Sequence, residues 1–150
     1  MAVEYATDFR ERPECYEIGR GERGVFKVQP YKSELLPLWS FKDEAAAKES
    51  SAAIWAKFEA YRDAEDFVGM DMARKYLQMG YTRAMRYAKY PGGRKYADDG
   101  TVKEPEQWAD AEKRASALIF DERLKAAKAD ATYQRLRDAH RQRERPADCP

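Results

Sequence analysis

Residues 73–96 read ARKYLQMGYTRAMRYAKYPGGRKY, and the fold reading turns on Gly80 within them. Glycine is a common residue just past a helix end, and Thr82 is a good N-cap. The pattern therefore predicts one helix from about Glu65 to Met79, a stop at Gly80, and another helix from Thr82 to about Tyr90. In the first, Asp71, Arg74, Lys75 and Gln78 fall on one polar stripe at i, i+3, i+4, i+7. Met70, Met72, Ala73, Tyr76 and Leu77 cover the rest of the cylinder, which is the pattern of a deeply buried helix. In the second, Tyr81, Ala84, Met85 and Ala88 make one stripe, and Arg83, Arg86, Tyr87 and Tyr90 the other. Pro91, Gly92 and Gly93 end it, and Arg94, Lys95 and Tyr96 lead into a loop closing around Asp98, Asp99 and Gly100.

The same stretch carries the chain's charge asymmetry. It holds seven basic side chains, no acidic one and five tyrosines. Residues 1–72 carry 10 basic against 15 acidic groups, and residues 97–150 carry 11 against 12. A chain of net charge +1 has thus gathered its positive charge in one place, interleaved with aromatics. One-signed charge with aromatic faces suits nucleic acid, because cations neutralise phosphates and tyrosine rings stack on exposed bases. The bland reading is a solvated helix face with half-buried tyrosines.

Working outward, Asp43 is placed to cap an alanine-rich helix in which Ala47, Ile54, Trp55, Phe58 and Tyr61 follow helical spacing, with a break near Asp63. Residues 1–41 are punctuated by Pro13, Gly19, Gly21, Gly24, Pro30 and Pro37. They predict an arm rather than a long helix, with Tyr16–Ile18 and Val25–Gln29 pairing as a small β-hairpin and Trp39 and Phe41 anchoring it. Toward the other end, a helix is expected from Pro105 to about Lys128 with Ala111, Ala115, Leu118 and Ile119 inward. Asp130 would cap a last helix with Tyr133, Leu136 and His140 at i, i+3, i+7, before an arginine-rich end from Arg135 to Arg145 that frays at Pro146 and reads as a solvated helix end or an auxiliary phosphate contact. The expectation is one mainly α domain over residues 1–150: arm 1–41, helical core 43–128, C-terminal helix and tail 130–150. That is a compact bundle of about five helices with a hairpin-bearing arm.

At 150 residues the chain can bury a real core. No apolar run approaches the ~20 residues of a membrane span, and the start lacks a signal-peptide pattern, so the expected setting is cytoplasmic. Cys15 and Cys149 sit at opposite ends without a CxxC, which gives neither a disulfide framework nor a zinc signature and leaves their pairing open but unsupported.

Other chemistry is sparsely encoded. GRGERG at residues 19–24 is a literal GxGxxG, similar to the glycine-rich loop of protein kinases, but VAIK, HRD and DFG elements are absent and no helix follows Gly24. It reads as a tight turn needing glycine torsions, or as an anion-binding nest of Gly19, Arg20, Gly21, Arg23 and Gly24. His140 is the only histidine, leaving nucleophilic triads poorly served. Asp66 with Asp71, or Asp98 with Asp99, could hold magnesium, but capping and turn formation explain them better. No catalytic residue, metal site or cofactor is assigned.

GYTRAMRYAKYPGG, through Gly80, Thr82, Arg83, Ala84, Tyr87, Tyr90, Pro91 and Gly92, resembles the turn and recognition helix of TetR-type helix-turn-helix repressors. The alanine that family places four residues before the glycine is Tyr76 here. The resemblance implies that Arg83 and Arg86 point into a groove and that Thr82 contacts a phosphate. Over most of the chain, YEIGRGERGVFKVQPYKSELLPLWSF and DFVGMDMARKYLQMGYTRAMRYAKYPGGRKY resemble a family of small uncharacterised bacterial and T-even-like phage proteins, grouped as a domain of unknown function. That family brings no activity and no functional residue to carry over.

The favoured expectation is a non-enzymatic nucleic-acid-binding protein, for DNA or RNA. Its contacts would be Arg74, Lys75, Thr82, Arg83, Arg86, Lys89, Arg94 and Lys95, with Tyr87 and Tyr90 beside them. The first alternative is an interaction module docking an acidic protein, since tyrosine and arginine are also hot-spot residues. The second is a binder or enzyme for a small phosphorylated ligand, using the glycine turn. No membrane partner is expected.

Overall fold

A computed structural model describes residues 7–19, 21–90, 94–104 and 110–149. Its helices are α1 (Tyr31–Leu35), α2 (Glu44–Asp63), α3 (Phe67–Lys89), α4 (Ala111–Ala129) and α5 (Ala131–Gln142). Short 3-10 turns lie at Pro13–Cys15 and Leu36–Leu38. The four long helices all start on an aspartate. The carboxylates of Asp43, Asp66, Asp110 and Asp130 accept from the backbone N–H of Ala46, Gly69, Lys113 and Tyr133, satisfying donors that a helix start leaves open.

The expected stop at Gly80 is not there. α3 runs unbroken for 23 residues, Gly80 lies mid-helix, and Thr82 is not a cap. The glycine serves close approach: a Cβ at this position would sit 2.5 Å from the ring of Phe120 on α4, itself fully buried. Gly69 admits the Tyr61 ring of α2 in the same way, at 2.5 Å. Both glycines let neighbouring helices press aromatic rings onto the α3 backbone. With no turn at Gly80, the helix-turn-helix likeness has no structural counterpart.

α3 is the axis of the fold, packed against α4 and α2 and touched by α1 and α5. Every residue from Phe67 to Leu77 is buried, the expected apolar positions and also Asp71, Arg74 and Lys75 of the polar stripe. Its Met70, Met72, Tyr76, Leu77 and Met79 meet Ile54, Phe58 and Tyr61 of α2, Phe120, Leu124 and Ala127 of α4, and Tyr133 of α5 in one core. On α4 the inward stripe is Ser116, Ala117, Phe120, Leu124 and Ala127 rather than the expected Ala111, Ala115, Leu118 and Ile119. Leu118 is exposed and Ile119 only packs at the margin. The start expected at Pro105 lies outside the described residues, and α4 begins at Ala111.

The arm is ordered coil, and the expected hairpin is absent. Among the described residues there is no strand, only isolated bridges between Asp8 and Gln29 and between Tyr96 and Val102. Residues 21–27 turn repeatedly, with Gly21 and Gly24 at φ of 56° and 95°. The physical reason is the destination of the arm's carbonyls. Gly21 O accepts from Arg74 Nη1 at 2.8 Å, Arg23 O from Lys75 Nζ at 2.6 Å, and Val25 O from the Tyr76 hydroxyl at 2.5 Å. Three consecutive α3 side chains thus hold the turn and the Val25 carbonyl, and the rest of the expected strand bonds locally, with Lys27 and Val28 N–H donating to Gly24 O and Lys32 N–H to Val28 O. Trp39 and Phe41 anchor the arm's end as expected, with Trp39 Nε1 donating to Tyr76 O at 3.1 Å.

Cys15 and Cys149 form a disulfide, closing the chain's two ends over a separation of 134 residues. No helix among the described residues is long and apolar enough to cross a membrane.

Candidate functional site

α3 divides the sequence-predicted basic residues into two groups. Arg74 and Lys75 are turned inward. Arg74 is 7% exposed and Lys75 1%, and both surround the fully buried carboxylate of Asp71. Arg74 Nε and Nη2 donate to Asp71 Oδ1 at 3.1 and 2.8 Å, Tyr133 donates to the same oxygen at 2.7 Å, and Tyr16 donates to Oδ2. Lys75 Nζ lies 3.9 Å from Oδ2. Burial would raise the Asp71 carboxyl, but Arg74, Lys75 and the two hydroxyls outweigh it and hold it below the ordinary value. Burial pulls Lys75 down to about 8, against the opposing pull of Asp71. As contacts on a nucleic-acid surface these two cations are therefore corrected: they turn away from the outer face of α3 and join it to the arm.

The second group faces out. Thr82, Arg83, Arg86, Tyr87 and Lys89 are exposed along one side of the C-terminal half of α3, and Tyr90 is half-buried at its cap. Arg83, Arg86 and Lys89 step along the helix at i, i+3, i+6, roughly 4.5 Å per step along the axis. Aromatics that the sequence pattern does not place there flank them. The Arg83 guanidinium lies 5.9 Å from the Phe26 ring centre and 5.6 Å from that of Trp39. Lys113 of α4 lies over Phe41 and Tyr87, at 4.9 and 5.8 Å, while its amine donates to the carbonyls of Phe41 and Lys42. Phe26 and Tyr87 are each 38% exposed. Glu22 is the acidic neighbour of Arg83: burial raises its carboxyl and Arg83 opposes the shift.

Arg94 and Lys95 sit on a separate turn after α3, the first exposed and the second half-buried. Ala97 N donates to Thr101 O and Lys103 N to Lys95 O, both at 2.8 Å. Asp99 is committed to that turn, accepting from the Thr101 N–H and hydroxyl. Asp66 is committed too, capping α3 and accepting from Tyr31. Pro91 and Gly92 lie outside the described residues.

The glycine turn lines a different feature, a cleft of about 580 Å3 between the arm and α3. Gly19, Arg23 and Gly24 contribute to it, with Lys27, Lys75 and Arg145 as further cations. Gly21 instead gives its carbonyl to Arg74, and Arg20 lies outside the described residues. Lys27 carries no sequence signal, and Arg145 is marked only as the end of the arginine-rich tail. Their place depends on the folding of residues 21–27 and on the tail returning to Cys15.

Among known proteins, the family model described as Domain of unknown function (DUF4385) matches residues 2–143. No curated protein and no solved structure matches the chain.

Proposed function

The chain belongs to the DUF4385 family, a domain of unknown function, and we propose that it binds single-stranded nucleic acid through the outer face of the C-terminal half of α3. The observation that carries this reading is the exposed row of Arg83, Arg86 and Lys89 beside part-exposed Tyr87 and Phe26. No acidic residue occurs between Asp71 and Asp98 to neutralise that row from within its own segment. Guanidinium and ammonium groups contact phosphates, and the ring faces stack on bases. Single strands are favoured because stacking needs unpaired bases, and because α3 is one continuous helix rather than a helix-turn-helix pair. Arg94, Lys95 and exposed Tyr96 on the following turn extend the contact. Arg74 and Lys75 take no part in this face, since both turn inward toward Asp71 and the arm.

The test is fluorescence anisotropy with short single-stranded and duplex DNA and RNA across salt concentrations. Binding should weaken as salt rises, and an Arg83→Ala/Arg86→Ala/Arg94→Ala variant should lower the slope of log K against log salt by about 2 for a single strand. Tyr87→Ala should weaken single-strand binding more than duplex binding. Unchanged affinity in the triple variant would sink the proposal.

A further inference from the structure

The cleft between the arm and α3 has features that the nucleic-acid reading leaves unused. Among the described residues, four cationic ones line it, Arg23, Lys27, Lys75 and Arg145, against the single carboxylate of Glu17. Glu17 is itself 3.3 Å from Arg145 Nε. The remaining wall is apolar or aromatic: Phe9, Ile18, Val28 and the ring of Tyr16. A volume of about 580 Å3 falls within the roughly 300–1,000 Å3 of sites that hold small molecules.

The base of the cleft is built rather than accidental. Lys75 reaches it from a fully buried stretch of α3, its amine held by Arg23 O at 2.6 Å and by the Tyr16 ring, whose centre is 5.0 Å away. An ammonium has three donors, and Asp71 Oδ2 at 3.9 Å is too far to take a second. Gly24 keeps the space above the amine clear. Its φ of +95° is a conformation that side-chain-bearing residues rarely adopt, and a Cβ there would come within 3.8 Å of Lys75 Nζ, an ordinary contact.

We propose that this cleft binds a small organic phosphate, its phosphoryl group held by Lys75, Arg23, Lys27 and Arg145 and its organic part lying against Phe9, Ile18 and Val28. This site is independent of the α3 face. Anion binding beside Lys75 favours its charged form, so a protein whose amine sits near pH 8 takes up a proton on binding in mildly alkaline buffer.

Thermal denaturation with inorganic pyrophosphate and with adenosine monophosphate, each against sodium chloride of equal ionic strength, tests the site. At about a hundredfold excess over Kd, the expected rise in Tm is on the order of 5–10 °C. Arg23→Gln/Lys27→Gln changes two exposed residues and should lose the rise, whereas Arg83→Ala/Arg86→Ala should keep it. Calorimetry of adenosine monophosphate binding at pH 8.5, in two buffers of different ionisation enthalpy, should show net proton uptake by the unsubstituted protein. No rise beyond the salt control with either probe would overturn the proposal. So would an equal rise in the Arg23→Gln/Lys27→Gln variant, or adenosine monophosphate binding without proton uptake. Loss of oligonucleotide binding in the α3 variant with the pyrophosphate response intact would separate this site from the nucleic-acid face.

Discussion

Replacing Asp71 by asparagine keeps the side chain's size and removes one charge from the middle of the protein. In the folded chain that carboxylate balances Arg74, 2.8 Å away, and Lys75, 3.9 Å away, with all three groups nearly or wholly excluded from water. The amide of the Asp71→Asn variant would still accept from one tyrosine, but it leaves two buried cations facing a neutral group. Breaking a buried ion pair from one side costs about 3–5 kcal/mol, because the surviving charge is stranded. For a domain whose total stability is on the order of 5–15 kcal/mol, this corresponds to a fall in Tm of roughly 6–20 °C. Urea unfolding at pH 7, followed by circular dichroism, measures it. A double variant, Asp71→Asn/Arg74→Met, should lose less than the sum of its singles, with a coupling of about 1–3 kcal/mol. Because Asp71 is held below its unfolded value, its contribution is present above about pH 4 and fades as acid takes the pH through the lower folded value. Asp71→Asn should lack that acid limb. A loss below about 1 kcal/mol, or strict additivity with Arg74, would refute the coupling of these three charges.

Lys75 gives an alkaline counterpart. Between its folded value of about 8 and the ordinary lysine value near 10.4, the unfolded chain binds the extra proton, so stability should rise with pH by up to about 3 kcal/mol. Tyr16, Tyr31, Tyr61, Tyr76 and Tyr133 are raised by burial and act oppositely above about pH 10, so urea midpoints should peak near pH 9–9.5, and Lys75→Met should flatten the rise. A midpoint that falls steadily from pH 7 to 9 counts against a buried, desolvated ammonium. Gly80→Ala gains about 1 kcal/mol of helix propensity but drives a methyl to 2.5 Å from Phe120, so a net loss of about 1–2 kcal/mol is expected in the same urea assay. A stabilised variant would show that Phe120 does not rest on the α3 backbone. The disulfide spans 134 residues, so Cys15→Ala/Cys149→Ala should cost about 2–5 kcal/mol, and thiol titration of the oxidised protein should find no free thiol. Two titratable thiols in the native protein would contradict the bridge.

The parts legible in the sequence are those whose causes are local. Asp43 and Asp130 cap the helices that their positions predict, because a cap needs only the next three residues. Of the expected α2 stripe, Ala47, Ile54, Phe58 and Tyr61 are buried and Trp55 packs at the core margin, and α5 turns Tyr133, Leu136 and His140 inward, because helical periodicity assigns faces without reference to partners. The row of Arg83, Arg86 and Tyr87 is visible for the same reason. On α4 the periodicity is weaker: an alanine-rich sequence offers several inward stripes, and only Phe120 fitted over Gly80 selects among them.

Residue order alone thus dictates a helical protein with a central, mostly apolar helix, and one segment where cations and aromatics concentrate. It also displays Asp71, Arg74, Lys75 and Gln78 as a polar stripe, but not that Asp71, Arg74 and Lys75 in it are buried. Their burial depends on carbonyls at Gly21 and Arg23 and hydroxyls at Tyr16 and Tyr133, about 50 residues or more away in the chain. Comparable separation hides the role of Gly80, the pairing of Cys15 with Cys149, and the cleft beneath the glycine turn. Periodicity tells which residues share a face, whereas solvent exposure, charge pairing and the use of a glycine are set by what a distant segment places against that face. Only the tertiary structure brings those segments together.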